Sequence, residues 1–302
     1  MTMTPEHRAA WLEQRRLGIG GSDASVICGV NPWMSPFELY LDKIGEGEEV
    51  EDNPSMMWGR IMEPVIRERY QEDTGCQVTV PDGAIVHPTH TFMRANLDGL
   101  CDDRILEIKT ARYDMGWGPD GSDEIPEHYL AQVQHYMTVV GYQIADVAAL
   151  IGGSDFRIYT IESDPELAEL LIEQERLFWA RVTNRKPPPF TTARDIALRF
   201  GGVHAKGTID ASIEVMEAVA DLLLVKKEKK DLESRENRLK MEIQEFMGEH
   251  EALAGNGEQV LATWKTAKPG KQFIVDELKK KHPEIYAECC VDKKTQRRFL
   301  TK

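Results

Sequence analysis

Asp98, Glu107 and Lys109 lie within twelve residues of one another, in the segment RANLDGLCDDRILEIKTA (94–111). Asp98 closes one expected strand, and Glu107 and Lys109 lie on the next. Side chains alternate faces along a strand, so Glu107 and Lys109 point the same way while Ile108 points to the core. A tight turn at Cys101–Asp102–Asp103 brings Asp98 back beside Glu107. Two carboxylates and an amine then converge at the end of a hairpin. Two close carboxylates ionise together only with a cation between them. Mg²⁺ favours such oxygens and keeps several waters, and the Ile108 backbone carbonyl can add another ligand. Bound metal acidifies its water, and Lys109 can orient or deprotonate that nucleophile. This is the equipment of phosphodiester hydrolysis, with a second Mg²⁺ to stabilise the departing 3′ oxygen. The same D…ExK pattern also occurs as a plain ion-paired strand face.

The elements that must position these groups read as α/β. The segments 91–98 and 105–110 form the central strand pair, with 76–80 and 84–87 before it. Helices are expected over 9–16 and 24–28, then from Pro36. Another runs from Ser55 to Tyr70, kinked or restarted at Pro64. A helix from Pro126 shows Leu130, Val133, Met137 and Val140 on one face. Strands 146–151 and 156–161 follow, then a helix from Asp164–Pro165 through Arg181. Residues 46–52 read as an acidic surface loop. The run RKPPP (185–189) and the glycines at 201, 202 and 207 mark a boundary. The expected division is a core over 1–190, a linker over 191–207 and an appendage over 208–302. The appendage begins with a long helix to Met247 in rough heptad phase. A strand (259–265), a short helix (273–281) and a last strand (296–300) complete it.

Composition limits the possibilities. The 302 residues carry 37 basic and 51 acidic side chains, a net charge of −14. Residues 221–302 carry 18 basic and 15 acidic groups, which leaves −17 on the first 220. The usual basic footprint of a nucleic-acid binder is therefore missing overall, and any DNA must lie in a local basic groove. With 41% hydrophobic residues the chain can build a core. No apolar run reaches the ~18 residues of a membrane span, and residues 1–16 lack a secretory h-region. Five cysteines without metal spacing argue against a disulfide framework, a zinc ribbon and an iron–sulfur cluster. No dinucleotide fingerprint, Walker loop or nucleophile elbow supports a metabolic enzyme.

Four ordered segments carry a resemblance. RRLGIGGSDASVICGVNPWMSPFELYLDKIG (15–45), WGRIMEPVIRERY (58–70), LDG…LEIKT (97–110) and AQVQHYM (131–137) follow the order seen in the YqaJ-type viral recombinase family. These are phage exonucleases similar to lambda exonuclease, in the PD-(D/E)XK superfamily. The resemblance covers about residues 8–190; one departure is Leu97, where the superfamily pattern has proline. It implies a restriction-endonuclease-like core, a mixed central sheet flanked by helices.

The resemblance also implies roles. Asp98, Glu107 and the Ile108 carbonyl would hold metal, and Lys109 would serve the water. Glu63 matches a helical glutamate that supports the metal–water cluster; Gly59 and Pro64 beside it suit a plain helix poorly. Gln134 matches a glutamine that hydrogen-bonds near the active site, and His135 beside it reads as structural. Arg16 and Ser22 match the residues that hold a DNA 5′-phosphate, with Arg15 as the alternative arginine and Asp23 as a possible cap. The Arg fork and the Gly20–Gly21–Ser22 helix start suit an anion. A plain capped turn fits the glycines as well. Trp33 and Phe37 read as core sooner than as base-stacking rings, although they lie near the implied DNA end. The lysines and arginines between 265 and 298 read as a phosphate-contacting or merely solvated face.

The implied activity is a Mg²⁺-dependent 5′→3′ exonuclease on double-stranded DNA ends, using two metal ions with Mn²⁺ as a substitute. It would release 5′-mononucleotides and leave 3′ single strands for phage-type recombination. A ring-shaped homotrimer, a phage single-strand annealing protein as partner, and a phage- or prophage-encoded protein in the bacterial cytoplasm are implied too. An endonuclease on the same metal site and a non-catalytic DNA-end or annealing-partner module remain the alternatives.

Overall fold

The computed structural model describes residues 13–48, 53–202, 207–256, 259–266, 270, 273–291 and 299–301. The expected helix start at 9–12, the end of the acidic loop (49–52) and most of the last expected strand (296–298) lie outside them. The chain divides into two units, Met1–Arg199 and Phe200–Lys302.

The first unit is built on a four-stranded mixed sheet. In chain order it contains α1 (Gly21–Ile27), α2 (Pro36–Lys43), α3 (Pro54–Thr74), β1 (Ile85–Val86), β2 (Arg94–Ala95), β3 (Gly99–Cys101) and β4 (Arg104–Ala111). There follow α4 (Glu127–Val140), β5 (Ile144–Ile151), β6 (Asp155–Glu162), α5 (Pro165–Thr183) and α6 (Ala193–Phe200). The sheet order is β3-β4-β5-β6. β4 runs parallel to β5, and both outer pairs are antiparallel. The parallel step needs a crossover, and α4 supplies it.

The β3–β4 turn is the two-residue Asp102–Asp103 link, with Asp102 at φ 51°. Tight hairpins need positive φ, and aspartate tolerates it better than most side chains. The expected strand over 91–98 is broken into other partnerships. Met93 bridges to Ile19, and β2 pairs with β1 apart from the main sheet. Only residues 99–101 pair with β4, so Asp98 sits one position beyond the last pair, Gly99–Leu106.

The two sheet faces bury different sets. On one, Leu106, Ile108 and Ala148 pack with Ile66 and Tyr70 of α3. On the other, Ile105, Val147 and Tyr159 pack with Val133, Tyr136 and Met137 of α4. Glu107 and Lys109 therefore start from the α4 face. Asp146, buried on β5, accepts from Tyr70, Arg104 and Thr160, which is how a buried carboxylate is tolerated. α3 continues through Pro64 as one helix.

Within the expected linker, residues 193–200 form α6. α6 begins on a cap made by Asp195, which accepts from the Thr191 and Thr192 amides and from Ser35 Oγ at 2.6 Å. Asp195 has no exposed surface, so it ties α6 to the start of α2.

The second unit opens with α7 (Ile213–Met247), 35 residues capped by Ser212. Leu224, Leu232, Leu239 and Phe246 of this helix are exposed within its unit. A small hairpin of β7 (Ala252–Ala254) and β8 (Val260–Thr263) follows, then α8 (Val275–Lys281) and α9 (Pro283–Glu288). Residues 299–300, the described end of the last expected strand, are not in a strand. Among the described residues no helix is long and apolar enough to cross a membrane.

Candidate active site

The hairpin brings Asp98 to Glu107 through the backbone. The Ile108 N–H donates to Asp98 Oδ2 at 2.8 Å. N–H and C=O of one strand residue point to the same side, so the Ile108 carbonyl also faces the gap where β3 ends. Lys109 donates to Glu107 Oε1 at 2.6 Å and to Gln132 Oε1 at 3.1 Å. The Gln132 amide donates to the same Glu107 oxygen at 2.7 Å and to the Tyr136 hydroxyl at 3.1 Å.

Glu63 arrives from the other side of the sheet. It pairs with Arg67 one helical turn later, and Arg67 Nε also donates to the Asp98 carbonyl at 3.1 Å. One arginine thus links α3 to the strand junction. The charge of Glu63 raises the pKa of both Asp98 and Glu107.

Electrostatics show what the cluster lacks. Burial and the Glu107 charge push the Asp98 carboxyl up to about 8. Burial also raises Glu107, against the pull of Lys109. Burial would lower Lys109, but the Glu107 carboxylate outweighs it and holds the amine above its ordinary value. The amine so held donates to both Glu107 and Gln132 and places a positive charge beside the two carboxylates.

A divalent cation fits these residues. Glu107 is 2% exposed, and its Oε2 is buried without a hydrogen-bond partner. A buried carboxylate oxygen left so is costly, and a cation shared with Asp98 would satisfy it and relieve the raised carboxyls. Among the described residues no three His, Cys, Asp or Glu side chains converge as a ready-made cage. Mg²⁺ needs none, because it commonly uses one or two carboxylates and keeps its waters.

Gln134, expected near the site, is elsewhere. Its amide donates to the Glu162 carbonyl at 2.7 Å, and its carbonyl accepts from the Asp164 N–H at 3.0 Å. It fastens α4 to the start of α5. Gln132 holds the place expected of it, because residues 132 and 134 lie about 200° apart around a helix. His135 is fully buried between Glu175 Oε1 (2.7 Å) and the Arg94 carbonyl (3.0 Å). Burial would lower its pKa, but the Glu175 charge raises it.

The glycine turn lies against this centre. A Cβ on Gly21 would stand 2.5 Å from the Tyr136 ring and 2.9 Å from Gln132 Cγ. Only glycine lets α1 approach α4 so closely. Ser22, the next residue, is exposed. Asp23 is buried and caps the Gly20 N–H at 2.8 Å. It pairs with Lys43 at 2.5 Å and Arg15 at 3.1 Å. Arg16 turns away, and its Nε donates to the Asp42 carbonyl at 3.1 Å. Phe37 is core at 1% exposed, whereas Trp33 is 69% exposed.

A mixed sheet presents buried Glu107 with half-buried Asp98 and Lys109 beside a glycine-started helix, an arrangement that suits a DNA-hydrolysing enzyme. Residues 10–143 match the YqaJ-like viral recombinase domain. The chain is 34% identical over 308 residues to the protein YqaJ of Bacillus subtilis (strain 168), covering 98% of this chain and 94% of that one. It is 28% identical over 143 residues to the protein R354 of Acanthamoeba polyphaga mimivirus, covering 43% of this chain and 26% of that one. It also resembles a solved alkaline exonuclease from Laribacter hongkongensis at 23% identity and a TM-score of 0.48, over 59% of this chain and 94% of that one. The chain belongs to the YqaJ-like viral recombinase family.

Proposed function

We propose that this protein digests double-stranded DNA from its ends, 5′→3′, with Mg²⁺ at Asp98, Glu107 and the Ile108 carbonyl. Mn²⁺ would substitute. The carrying observation is the unpartnered, buried Glu107 Oε2 beside the raised Asp98 carboxyl. Bound metal supplies an acidified water and stabilises the departing oxygen. Lys109, held by Glu107 and Gln132, orients or deprotonates the attacking water and offsets the charge that builds on the phosphate. Glu63 holds the outer side of the cluster through Arg67. Ser22, at the start of α1 and next to the Gly21 contact with Gln132, receives the terminal 5′-phosphate with Arg15 or Arg16. This is what makes cleavage end-dependent and releases 5′-mononucleotides, leaving a 3′ single strand for recombination. A homotrimeric ring with a basic interior, and a single-strand annealing partner, complete the proposal; a strictly monomeric protein in sedimentation, with and without DNA, would remove the ring.

The deciding experiment incubates the protein with linear 5′-phosphorylated duplex and with a covalently closed circle, in Mg²⁺ or in EDTA. Mg²⁺-dependent loss of the linear DNA alone, with mononucleotides from the 5′ end, is the expected result. Cutting of the circle would reassign the site to an endonuclease, and cleavage of neither substrate would remove the proposed activity.

A further inference from the structure

Trp33 sits in the turn between α1 and α2, and that turn is fixed from within. The Asn31 side-chain oxygen accepts from the Trp33 N–H at 2.9 Å and the Met34 N–H at 3.1 Å, while the Asn31 amide donates to Ser25 Oγ at 2.9 Å. An Asn that bonds its own following backbone sets the turn. The indole it presents is nevertheless 69% exposed. Solitary exposed apolar side chains are common, but this one ends a column of rings. Trp33 meets His128 edge to face with centroids 4.9 Å apart. His128 lies 4.0 Å from Tyr129. Lys109 Nζ stands 4.7 Å from the Tyr129 ring centroid. Trp117 braces Tyr129 at 5.5 Å. A cleft of about 410 Å³ opens beside the indole, lined also by Asn31, Met34, Thr191, Thr192 and Arg194. That volume lies in the range of small-molecule sites.

We propose that Trp33, seated on His128, is a stacking platform for a nucleobase of the strand being digested. The proposal rests on the nuclease reading above. Three short steps lead from the indole to Lys109, and stacked nucleotides advance about 3.4 Å each along a strand. The platform therefore serves a base within a few nucleotides of the cleaved bond. Every base offers a π face, so stacking is tolerant of sequence. That tolerance suits an enzyme that must degrade whatever sequence follows. It also gives an acidic protein a grip on DNA that needs no additional positive charge.

The test is steady-state kinetics on 5′-phosphorylated linear duplex, with the first three nucleotides of the digested strand either intact or abasic. Wild type is compared with Trp33→Ala, Trp33→Leu and Trp33→Phe, each checked for an unchanged Tm. Trp33→Ala is expected to raise KM about tenfold with kcat little altered. Phe restores the wild-type KM because it keeps a ring, and Leu does not. The abasic end raises KM for wild type but adds nothing for Trp33→Ala. An unchanged KM in Trp33→Ala, equal rescue by Leu and Phe, or abasic and Ala effects that simply multiply would each overturn the platform while leaving the nuclease intact. Failure of the wild type to digest linear duplex would instead overturn the nuclease reading, and this proposal with it.

Discussion

Gln132 and Glu107 are joined so that one carboxylate oxygen is fully used and the other is left free. The glutamine amide donates to Oε1 at 2.7 Å, Lys109 donates to the same oxygen, and Oε2 has no partner. Gln132 therefore orients the carboxylate. Gln132→Ala should lower kcat by about 10–100-fold, the usual effect of removing a group that orients a metal ligand. Gln134→Ala should behave differently. It breaks two hydrogen bonds at the α4–α5 junction and should cost about 1–3 kcal/mol of stability, with kcat of the folded protein unchanged. Paired melting and kinetic measurements separate the two. Equal kinetic losses from both variants would refute this division of labour.

Cation binding should be visible without any substrate. Mg²⁺ or Mn²⁺ should raise the Tm of the wild type by mass action, because it binds the folded site and relieves the carboxylate crowding. Asp98→Asn and Glu107→Gln should each lose that increment. Asp98→Asn, which removes a crowded acid, should melt no lower than wild type in EDTA, whereas Glu107→Gln also takes the carboxylate partner from Lys109 and should melt lower. Lys109→Ala should lose at least ~10²-fold in rate and keep its DNA binding. Cleavage at the wild-type rate by that variant would exclude Lys109 from the chemistry.

Asp23 predicts the acid limb of stability. Burial alone would raise its pKa, but Lys43 and Arg15 outweigh burial and hold it below the usual carboxylate value. A lowered carboxyl contributes stability above its unfolded pKa of about 3.9. That contribution is lost as pH falls through the folded value. Tm should therefore fall between pH 5 and 3 more steeply in wild type than in an Asp23→Asn/Lys43→Met pair. Asp23→Asn alone leaves Lys43 buried and unpaired, at a cost of about 3–5 kcal/mol. Parallel Tm curves for wild type and the pair would rule out Asp23 as the titrating group.

The legible parts of this molecule were those fixed by local period. Alternation along 104–111 placed Glu107 and Lys109 on one face, and the turn at Asp102 aligned Asp98 with Glu107. What escaped depends on distant partners. Met93 pairs with Ile19, so a stretch that reads as one strand is split. The motif QVQ contains two glutamines, and only the phase of α4 against Gly21 and Tyr136 decides which one faces the strand. The first of the two lies four residues before Tyr136, one turn away on the same face, and that signal was present in the sequence. Asp195 reads as a loop acid until Ser35, 160 residues earlier, is seen to donate to it. Trp33 reads as core by residue type, and only its pinned turn leaves it exposed.

The proposed phosphate end of the site offers two adjacent arginines, which the structure sends in different directions. Arg15 joins Asp23 in the first turn of α1, next to Ser22, whereas Arg16 reaches the Asp42 carbonyl at the end of α2. Ser22 itself follows Gly21, where an added Cβ would stand 2.9 Å from Cγ of Gln132, the residue that donates to Glu107. A terminal phosphate proposed at Ser22 would therefore be served by Arg15, which already pairs with the neighbouring Asp23. Arg15→Ala and Ser22→Ala should each reduce the preference for 5′-phosphorylated over 5′-hydroxyl ends, by about tenfold for a lost charge-assisted contact of about 1.5 kcal/mol. Arg16→Ala should lower Tm and leave that preference in place. The measurement is the ratio of initial rates on the two kinds of end. A ratio that collapses for Arg16→Ala and holds for Arg15→Ala would reverse the assignment and require Arg16 to leave Asp42 when DNA binds.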